Sequence, residues 1–415
     1  MSRLVRAVPF LLVCLPFAAL LAPRGAGTVP LYASRTGLAC GSCHFDPNGG
    51  GPRNEFGFAF AKKRHSLDEE PEGSPFKDLT LTNRVGEQMP VYLGVNQRFM
   101  LLTNTQTKSD SLDRLGFFSM ESAIHIAFQP HPRLTLVYTN DVFAAVQNST
   151  TPRQKDAYGM FTGLPWDGYV RAGRFRVPFG LRMDDHTVAT RVGFLDFVGG
   201  TFLPYDPRQP DMGLEIGAER AGFFGRAAYT NGRANVIGAD PHAETKTLKL
   251  GHRAPWFEGA VSLYDDYAKN RPGAGQPINM RQTRWGFYGL SHWRELSLLG
   301  EVAAGTDQGA AGGTGITPYV PTDKTNLLAW WAELDYAVSR SLNLRTRYDY
   351  MVTDRSSDPA VRDAATFSRW ALEGEWVPVP FAELRGTLRH IDYKENQGLG
   401  VDNENQAYLQ FHFSY

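Results

Sequence analysis

In QAYLQFHFSY, residues 406–415, apolar and polar side chains alternate, and this pattern is the main indication of the fold. The apolar set is Ala407, Leu409, Phe411, Phe413 and Tyr415, and the residues between them are polar or amphipathic. Successive side chains of a β-strand point to opposite faces, so a period of two gives each set its own face. One apolar and one polar face suit a barrel wall with lipid outside and water inside. We therefore predict a membrane-spanning β-strand here.

The same alternation recurs along the chain from residue 91 onward. Leu342 and Leu344, for example, alternate with Asn343 and Arg345. No apolar stretch after the N-terminal region reaches the roughly 18 residues that a membrane helix needs, so strands are the predicted spanning elements. The pattern yields sixteen candidate strands, at 91–103, 117–128, 133–146, 157–163, 168–176, 213–219, 222–230, 245–252, 256–265, 281–291, 295–304, 327–338, 341–352, 367–376, 381–392 and 404–415.

The lengths of the connections separate a membrane barrel from a soluble sandwich, which alternation alone does not. The candidate strands are joined alternately by short turns, such as 220–221 and 339–340, and by long loops, such as 177–212 and 305–326. Short periplasmic turns and long outer loops are the rule in outer-membrane barrels. We predict that residues 91–415 form an all-β fold, a transmembrane antiparallel β-barrel of about 16 strands with both ends in the periplasm.

The longest loop, 177–212, carries charges of both signs. We predict that it folds into the pore as a constriction, and the alternative is a solvated external loop. Its charged or titratable residues include Arg182, Asp184, Asp185, His186, Arg191, Asp206, Arg208 and Asp211.

Residues 1–27 have the features of a secretory signal peptide. Arg3 and Arg6 form a basic start, the run 7–22 is apolar, and small residues follow it. A membrane anchor is the alternative, but the apolar run is short for a span. We expect the signal peptide to be removed and the remaining chain to be exported.

The motif Cys40-Gly41-Ser42-Cys43-His44 follows soon afterwards. CxxCH is the attachment sequence of c-type heme. Two thiols at this spacing can bond to the two vinyl groups on one edge of a porphyrin, and the next imidazole can ligate the iron. We predict one covalent heme c, with Cys40 and Cys43 as thioether links and His44 as the proximal iron ligand. The alternatives are a disulfide and half of a zinc site, which would need two further ligands.

The pattern leaves the second axial ligand of the iron open. His65 is the first candidate, because it is the one other histidine before the barrel and follows a predicted short helix at 56–64. Met89, a lumen-facing barrel histidine and an open coordination position are the alternatives. The Gly- and Pro-rich stretch 46–52 predicts a tight loop or a close approach of bare backbone to the porphyrin. The stretch 68–75 predicts a linker into the barrel.

The heme segment, 28–90, is too small to bury a porphyrin well by itself, whereas a barrel of sixteen strands encloses a channel that can hold a small plug. We therefore expect the segment in or at the periplasmic mouth of the lumen. A redox centre there predicts an electron conduit in the outer-membrane lipid, an electron-transfer protein rather than an enzyme. Its partners would be a periplasmic c-type cytochrome and an extracellular redox partner or metal ion.

Two other functions remain open. One is a diffusion porin whose heme segment is a plug or redox sensor, and the other is a catalytic heme that reduces a metal or a peroxide. Nucleic acid is not an expected partner, because the 43 basic residues are balanced by 43 acidic ones and form no dominant patch.

A CxxCH motif just behind a signal peptide, followed by a barrel of this size, resembles the fused cytochrome–porins of iron-oxidising bacteria. The likeness is closest at 36–44, TGLACGSCH, and at Phe56-Gly57. It implies that Cys40 and Cys43 hold the heme, that His44 ligates its iron, and that extracellular Fe(II) is the electron donor. This chain departs from the family at 46–52, where an apolar Phe-Pro-type stretch would be expected.

A second likeness lies in the barrel. GRFRVPFGLR, residues 173–182, is similar to the strand-and-loop motif of phosphate-selective-type porins. It supports the barrel class rather than a particular substrate, because acidic residues are interleaved with the basic residues of the predicted lumen.

Overall fold

The computed structural model describes residues 32–33, 38–106, 114–142, 153–183, 185, 187–192, 197–198, 201–202, 209–232, 244–270, 278–311, 320–321, 323–364, 366–393 and 403–415. The predicted signal peptide, residues 1–27, lies outside these ranges. No helix within them is both long and apolar enough to cross a membrane.

Sixteen long antiparallel strands form one closed sheet within the described residues. They are β1 (Val91–Gln106), β2 (Arg114–His131), β3 (Leu134–Asp141), β4 (Arg153–Leu164), β5 (Gly168–Phe175), β6 (Asp211–Arg220), β7 (Phe223–Thr230), β8 (Glu244–Ala254), β9 (Phe257–Asn270), β10 (Ile278–Trp293), β11 (Leu296–Gln308), β12 (Thr325–Ser339), β13 (Leu342–Val352), β14 (Thr366–Val379), β15 (Ala382–Tyr393) and β16 (Asn403–Ser414). The strand β16 pairs with β1, with Ser414 opposite Asn96 and Glu404 opposite Gln106. Closure leaves no unpaired edge, which a bilayer core would penalise. The prediction of a transmembrane antiparallel barrel of about 16 strands is confirmed.

Burial alternates along the strands in the sense expected of a membrane barrel. In β12, Glu333 and Asp335 are buried on the inner face, whereas Leu334 and Tyr336 on the outer face are 41% and 50% exposed. In β16, Leu409 is 52% exposed on the outer face. A soluble sandwich would bury the apolar set instead. The outer surface is therefore an apolar band that contacts lipid, and the protein is an outer-membrane barrel.

At one end of the barrel, tight turns join neighbouring strands, among them the turns at Ala221, Arg294 and Phe381. This end is called the short-turn end below. These three residues adopt positive φ angles of 51°, 53° and 67°. Such angles match the right-handed twist of the strands that a short hairpin joins. Since β1 begins and β16 ends at the short-turn end, the N-terminal segment meets the barrel there.

Several strands are longer than the sequence pattern predicts. The strand β1 continues to Gln106 and β9 continues to Asn270, beyond the predicted ends at 103 and 265. The extensions lie at the end opposite the tight turns. Outside the bilayer both faces of a strand can be wet, so the alternation fades before the hydrogen-bonded ladder ends.

The helix predicted after the CxxCH motif is present as α1 (Glu55–Lys62). Its N-cap is Asn54, whose Oδ1 accepts a hydrogen bond from the Gly57 amide at 2.9 Å. Phe58 and Phe60 are both buried on different sides of the helix, Phe58 against Phe381 and Phe60 against Tyr32. The helix ends before His65, where the chain adopts a φ of +60°.

The stretch predicted as a linker, 68–75, is tied to the barrel. Arg340, in the turn between β12 and β13, donates hydrogen bonds to the carbonyl oxygens of Asp68 and Glu69, both at 2.6 Å. Arg64 and Glu70 form an ion pair at 2.9 Å within the segment. These contacts fix the path of the chain between α1 and β1.

Candidate functional site

The CxxCH motif forms one tight turn. Residues Cys40–Ser42 are a 3-10 helix, and the amides of Cys43 and His44 donate to the Cys40 carbonyl oxygen at 3.2 and 3.1 Å. The two cysteines are not joined by a disulfide. In the part of the chain that the structure describes, no group of three or more His, Cys, Asp or Glu side chains could hold a metal ion. The two thiols and the imidazole are a donor set of the kind that heme c uses.

Helix α1 packs directly on this turn. A Cβ at Gly57 would lie 2.1 Å from the Cys43 carbonyl oxygen, so a side chain at this position would collide with the motif. The Asn54 amide donates to the same oxygen at 3.0 Å, and Asn54 Nδ2 donates to the Ser42 carbonyl at 3.0 Å. The Gly57 of the Phe56-Gly57 pair noted in the sequence thus permits the close approach that supports the motif.

The loop 46–52 docks the motif onto arginines of the barrel wall. Arg171 of β5 has a fully buried side chain and donates from Nη1 to Asp46 Oδ2 at 2.7 Å and from Nη2 to Glu215 Oε2 at 2.7 Å. Arg226 of β7 donates to Asn48 Oδ1 at 2.6 Å and to the Pro47 carbonyl at 2.7 Å. The wall arginines thus hold the loop that follows the CxxCH motif inside the lumen.

The Gly-rich stretch 46–52 forms the tight loop that the sequence predicts, and the approach of its backbone to a porphyrin stays a prediction. Asp46 accepts the Asn48 amide at 2.8 Å, which makes a tight turn. Gly49 adopts a φ of +88°, and a Cβ there would lie 3.2 Å from the Cys40 Cβ. Bare backbone therefore packs against the first cysteine of the motif.

Aromatic and polar contacts fix the other side of the motif. The Phe45 ring lies 4.8 Å from the Tyr92 ring of β1, between centroids. Arg53 donates to the Ser414 carbonyl at 2.5 Å and to its hydroxyl at 3.0 Å. The segment is thus held against β1 and β16, where the barrel closes, as well as against β5 and β7.

A cavity of about 710 Å³ adjoins the motif and opens toward the short-turn end. Its volume falls in the range of cofactor pockets, roughly 300–1,000 Å³. The residues of the motif that line it are Gly41, Ser42 and His44, and the barrel wall contributes Met160 and Tyr169 among others. Of the donor set, His44 lines this space, whereas Cys40 and Cys43 lie behind it in the turn. Burial raises the pKa of the Cys40 thiol.

The structure does not bring His65 to this cavity. Its Nδ1 lies 3.0 Å from Tyr32 Oη, and its ring lies 5.7 Å from the Phe60 ring, between centroids. Burial lowers the pKa of His65 to about 3, so the imidazole is neutral. Met89, the second candidate, is 61% exposed. Among the residues that the structure describes, His44 lines the cavity, whereas His65 and Met89 do not.

Arg171 and Arg226 are the site residues that the sequence interpretation missed. A signal was present, because each arginine occupies an inward position of a predicted strand. The sequence did not reveal that both arginines meet the loop 46–52, since those contacts span 125 and 178 positions of the chain.

The loop between β5 and β6 also enters the lumen, as predicted. Arg182 pairs with Glu333 of β12, and Arg191 Nη1 lies 2.8 Å from Glu301 Oε1 of β11. The Ala189 amide, in the short helix α2 (Ala189–Val192), donates to Asp349 Oδ1 at 2.9 Å. The described part of this loop, called the inward loop below, therefore folds into the lumen as predicted.

Other residues predicted for the constriction have different places. Asp184, His186, Asp206 and Arg208 lie outside the described residues. Asp185 lies 3.9 Å from Arg347, and Asp211 is the first residue of β6.

The comparisons with known proteins agree with this architecture. No protein-family model matches the sequence, and no curated protein matches it. Solved structures of outer-membrane channels are similar in fold. The anion-selective porin from Comamonas acidovorans is 12% identical, with a TM-score of 0.63, and the match covers 79% of this chain and all of that one.

Two further structures match in the same way. OmpF of Salmonella typhi, solved in complex with daunomycin, is 10% identical with a TM-score of 0.55, over 80% of this chain and all of that one. The outer-membrane channel DcaP of Acinetobacter baumannii is 11% identical with a TM-score of 0.54, over 79% of this chain and 97% of that one. At these identities the likeness is one of fold, so residues 91–415 have the fold of outer-membrane porins.

Proposed function

We propose that this protein carries one covalent heme c in the short-turn half of its barrel and passes electrons across the outer membrane. The partners would be a periplasmic c-type cytochrome on one side and an extracellular donor or acceptor, such as iron, on the other. The observation that carries the proposal is the position of the CxxCH turn, which lies inside the barrel beside a cavity of about 710 Å³.

Each residue of the site has a role in this proposal. Cys40 and Cys43 would form the thioether bonds, and His44 would ligate the iron. Arg171 and Arg226 hold the loop that follows the motif, so the segment keeps one position in the lumen. A bound heme would supply a one-electron carrier whose potential depends on its axial ligands and on the dielectric around it.

The inward loop limits what reaches the site from outside. Its ion pairs with Glu301 and Glu333 hold it in the lumen, which it would narrow between the motif and the long loops. A small species such as a metal ion is therefore a better extracellular partner in this proposal than a protein.

Proteoliposomes loaded with a reducible dye test the conduit. A membrane-impermeant reductant added outside should reduce the internal dye, and liposomes without the protein should not respond. The conduit fails if the dye stays oxidised although the purified protein shows the absorption spectrum of heme c.

The substitution Cys43→Ala should abolish covalent heme attachment, because it removes one of the two thioether bonds, while the barrel still inserts. Staining for heme after denaturing electrophoresis measures attachment, and heat-modifiable migration measures barrel folding. Loss of the folded barrel in this variant would contradict the proposal that heme segment and barrel are separable.

A diffusion porin whose heme segment is a plug or redox sensor is the second candidate, and the porin fold favours it. In that case ion flux would change when the segment is displaced, and no electrons would cross. Conductance measured on the same liposomes with and without reductant separates the two functions.

A further inference from the structure

The outer face of the barrel carries a groove at the short-turn end, on the strands β7 to β10. Its volume is about 760 Å³, which lies in the range of ligand pockets, roughly 300–1,000 Å³. Apolar side chains form most of its lining, among them those of Phe223, Leu250, Phe257 and Phe287. The groove lies within the lipid-facing band, so its concave apolar surface suits an apolar chain.

Glycines on the outer face explain why the wall is concave here. Gly225 lies opposite Leu250 in the register of β7 and β8, and a Cβ at Gly225 would meet the far end of the Leu250 side chain at 3.1 Å. A Cβ at Gly259 would lie 2.7 Å from the Phe257 ring, so this glycine lets the ring pack onto the backbone. Phe223 and Leu250 are 66% and 54% exposed and form a raised side of the groove.

The end of the groove nearest the turns is polar. Trp166, in the turn between β4 and β5, is 63% exposed, and tryptophan is enriched where a membrane meets water. Among the described residues of the lining, the charged ones are Glu219 and Arg220. Glu219 pairs with Arg253 at 2.7 Å, whereas Arg220 is exposed and forms no ion pair within the described part of the chain. One unpaired positive charge therefore lies where lipid head groups would be.

We propose that this groove binds one anionic phospholipid of the periplasmic leaflet, with an acyl chain along the groove and the phosphate on Arg220. A guanidinium can donate two parallel hydrogen bonds to the oxygens of a phosphate. A flexible acyl chain can follow a concave surface, whereas a second barrel would have to present a matching ridge. The proposal does not depend on the heme, because the residues that line the groove belong to the barrel wall.

The bound lipid would also support the cavity beside the CxxCH turn. Ala218, Glu219, Arg220 and Phe224 line both the groove and that cavity. The hairpin of β6 and β7 therefore separates the two spaces at the short-turn end. A phosphate on Arg220 would lie at the mouth of the cavity.

Native mass spectrometry of the delipidated protein in a non-ionic detergent tests the proposal, with dioleoylphosphatidylglycerol as the probe. The unaltered protein should bind one lipid in a saturable first step. Arg220→Gln should weaken this step roughly tenfold or more, because a hydrogen bond to a charged group is lost. Dioleoylglycerol, which has the same chains but no phosphate, should bind the unaltered protein about as weakly.

The chain-binding part of the groove is tested separately. Gly225→Leu fills the groove and should abolish the first binding step. Leu250→Trp fills it from the side and takes the place of Gly225→Leu if that variant does not fold, which heat-modifiable migration shows. The matched controls are Arg294→Gln, an exposed arginine of another short turn, and Gly386→Leu, an outer-face glycine outside the groove. Both controls should bind the lipid like the unaltered protein.

The proposal is overturned if Arg220→Gln or the variant that fills the groove binds the lipid like the unaltered protein. It is also overturned if a control loses the first binding step, because the site would then lie elsewhere on the barrel. A mass of two or more chains that falls to one chain in Gly225→Leu would assign the groove to a second copy of this protein instead.

Discussion

Two inserts occupy the lumen of this barrel, and the shortest ion pairs that hold them have opposite polarity. The N-terminal segment presents oxygen acceptors, Asp46 among them, to arginines that belong to the wall. The inward loop does the reverse, since its own Arg182 and Arg191 reach carboxylates of the wall, Glu333 and Glu301. The wall therefore has a basic docking surface on β5 and β7 and an acidic one on β11 and β12.

The two arrangements should affect the stability of the barrel differently when an arginine is removed. Removing an arginine from the wall leaves a carboxylate of the wall as well as one of the segment unpaired, because Arg171 also neutralises Glu215. Removing an arginine from the inward loop leaves only a carboxylate of the wall without its ionic partner. The two inserts can thus be released separately, and the effects on stability should differ.

The largest effect is expected from Arg171→Leu. The side chains of Arg171 and Glu215 are both fully buried, and breaking such a pair on one side costs about 3–5 kcal/mol. The N-terminal segment should also detach, because Asp46 loses its partner. Urea unfolding in detergent micelles measures the stability, and trypsin cleavage at Lys62 and Lys63 measures the detachment.

The matched control for this variant is Arg281→Leu. Arg281 pairs with Asp265 on the surface, where the side chains are 58% and 40% exposed, so its loss should cost about 0–1 kcal/mol. Equal stability losses in the two variants would show that the wall arginine does not anchor the segment.

A smaller change in stability, with a change in conductance, is expected from Arg191→Ala. Its ion pair with Glu301 and its hydrogen bond to the Phe179 carbonyl at 3.0 Å hold the inward loop. Loosening the loop should raise the single-channel conductance in planar bilayers and leave heme attachment unchanged. An unaltered conductance would mean that the loop does not limit the pore.

The smallest effect is expected from the protonation of His65. Its pKa is lowered from the ordinary 6.5 to about 3 by burial. Above pH 6.5 the neutral imidazole therefore makes its full contribution to the stability of the docked segment. That contribution is lost as the pH falls toward 3, because the released segment binds the proton more readily. Protease sensitivity of the stretch 62–70 should rise between pH 6.5 and pH 4.

The control for this prediction is His65→Gln, which keeps hydrogen-bonding atoms but does not titrate in this range. The rise in protease sensitivity should be smaller in this variant. An identical rise in both proteins would assign the pH dependence to other groups.

The strands could be predicted from the sequence because their signal is local. A period of two, as in β12 and β16, reports which face contacts lipid without any knowledge of the neighbouring strand. The inward loop could be predicted for a similar reason, since its length and mixed charge are visible in one stretch.

The site could be predicted only where its chemistry lies within one motif. Cys40, Cys43 and His44 lie within five residues of one another, whereas Arg171 and Arg226 meet the segment only once the barrel has closed and its register is set. Alternation shows that both arginines face inward, but not that they meet the loop 46–52. His65 lies at the left-handed turn that ends α1, and its Nδ1 meets Tyr32, a position that the sequence did not reveal.

The seam between β1 and β16 also imposes an order on assembly. Arg53 binds Ser414, the Phe58 ring lies 5.1 Å from the Tyr415 ring, and Tyr415 Oη donates to the Thr82 carbonyl at 3.0 Å. In the structure these contacts accompany the pairing of β16 with β1, so we expect the N-terminal segment to reach its final position only after the barrel has closed. Docking of the N-terminal segment would therefore be the last step of folding. Protection of the segment from protease should then show when assembly of the barrel is complete.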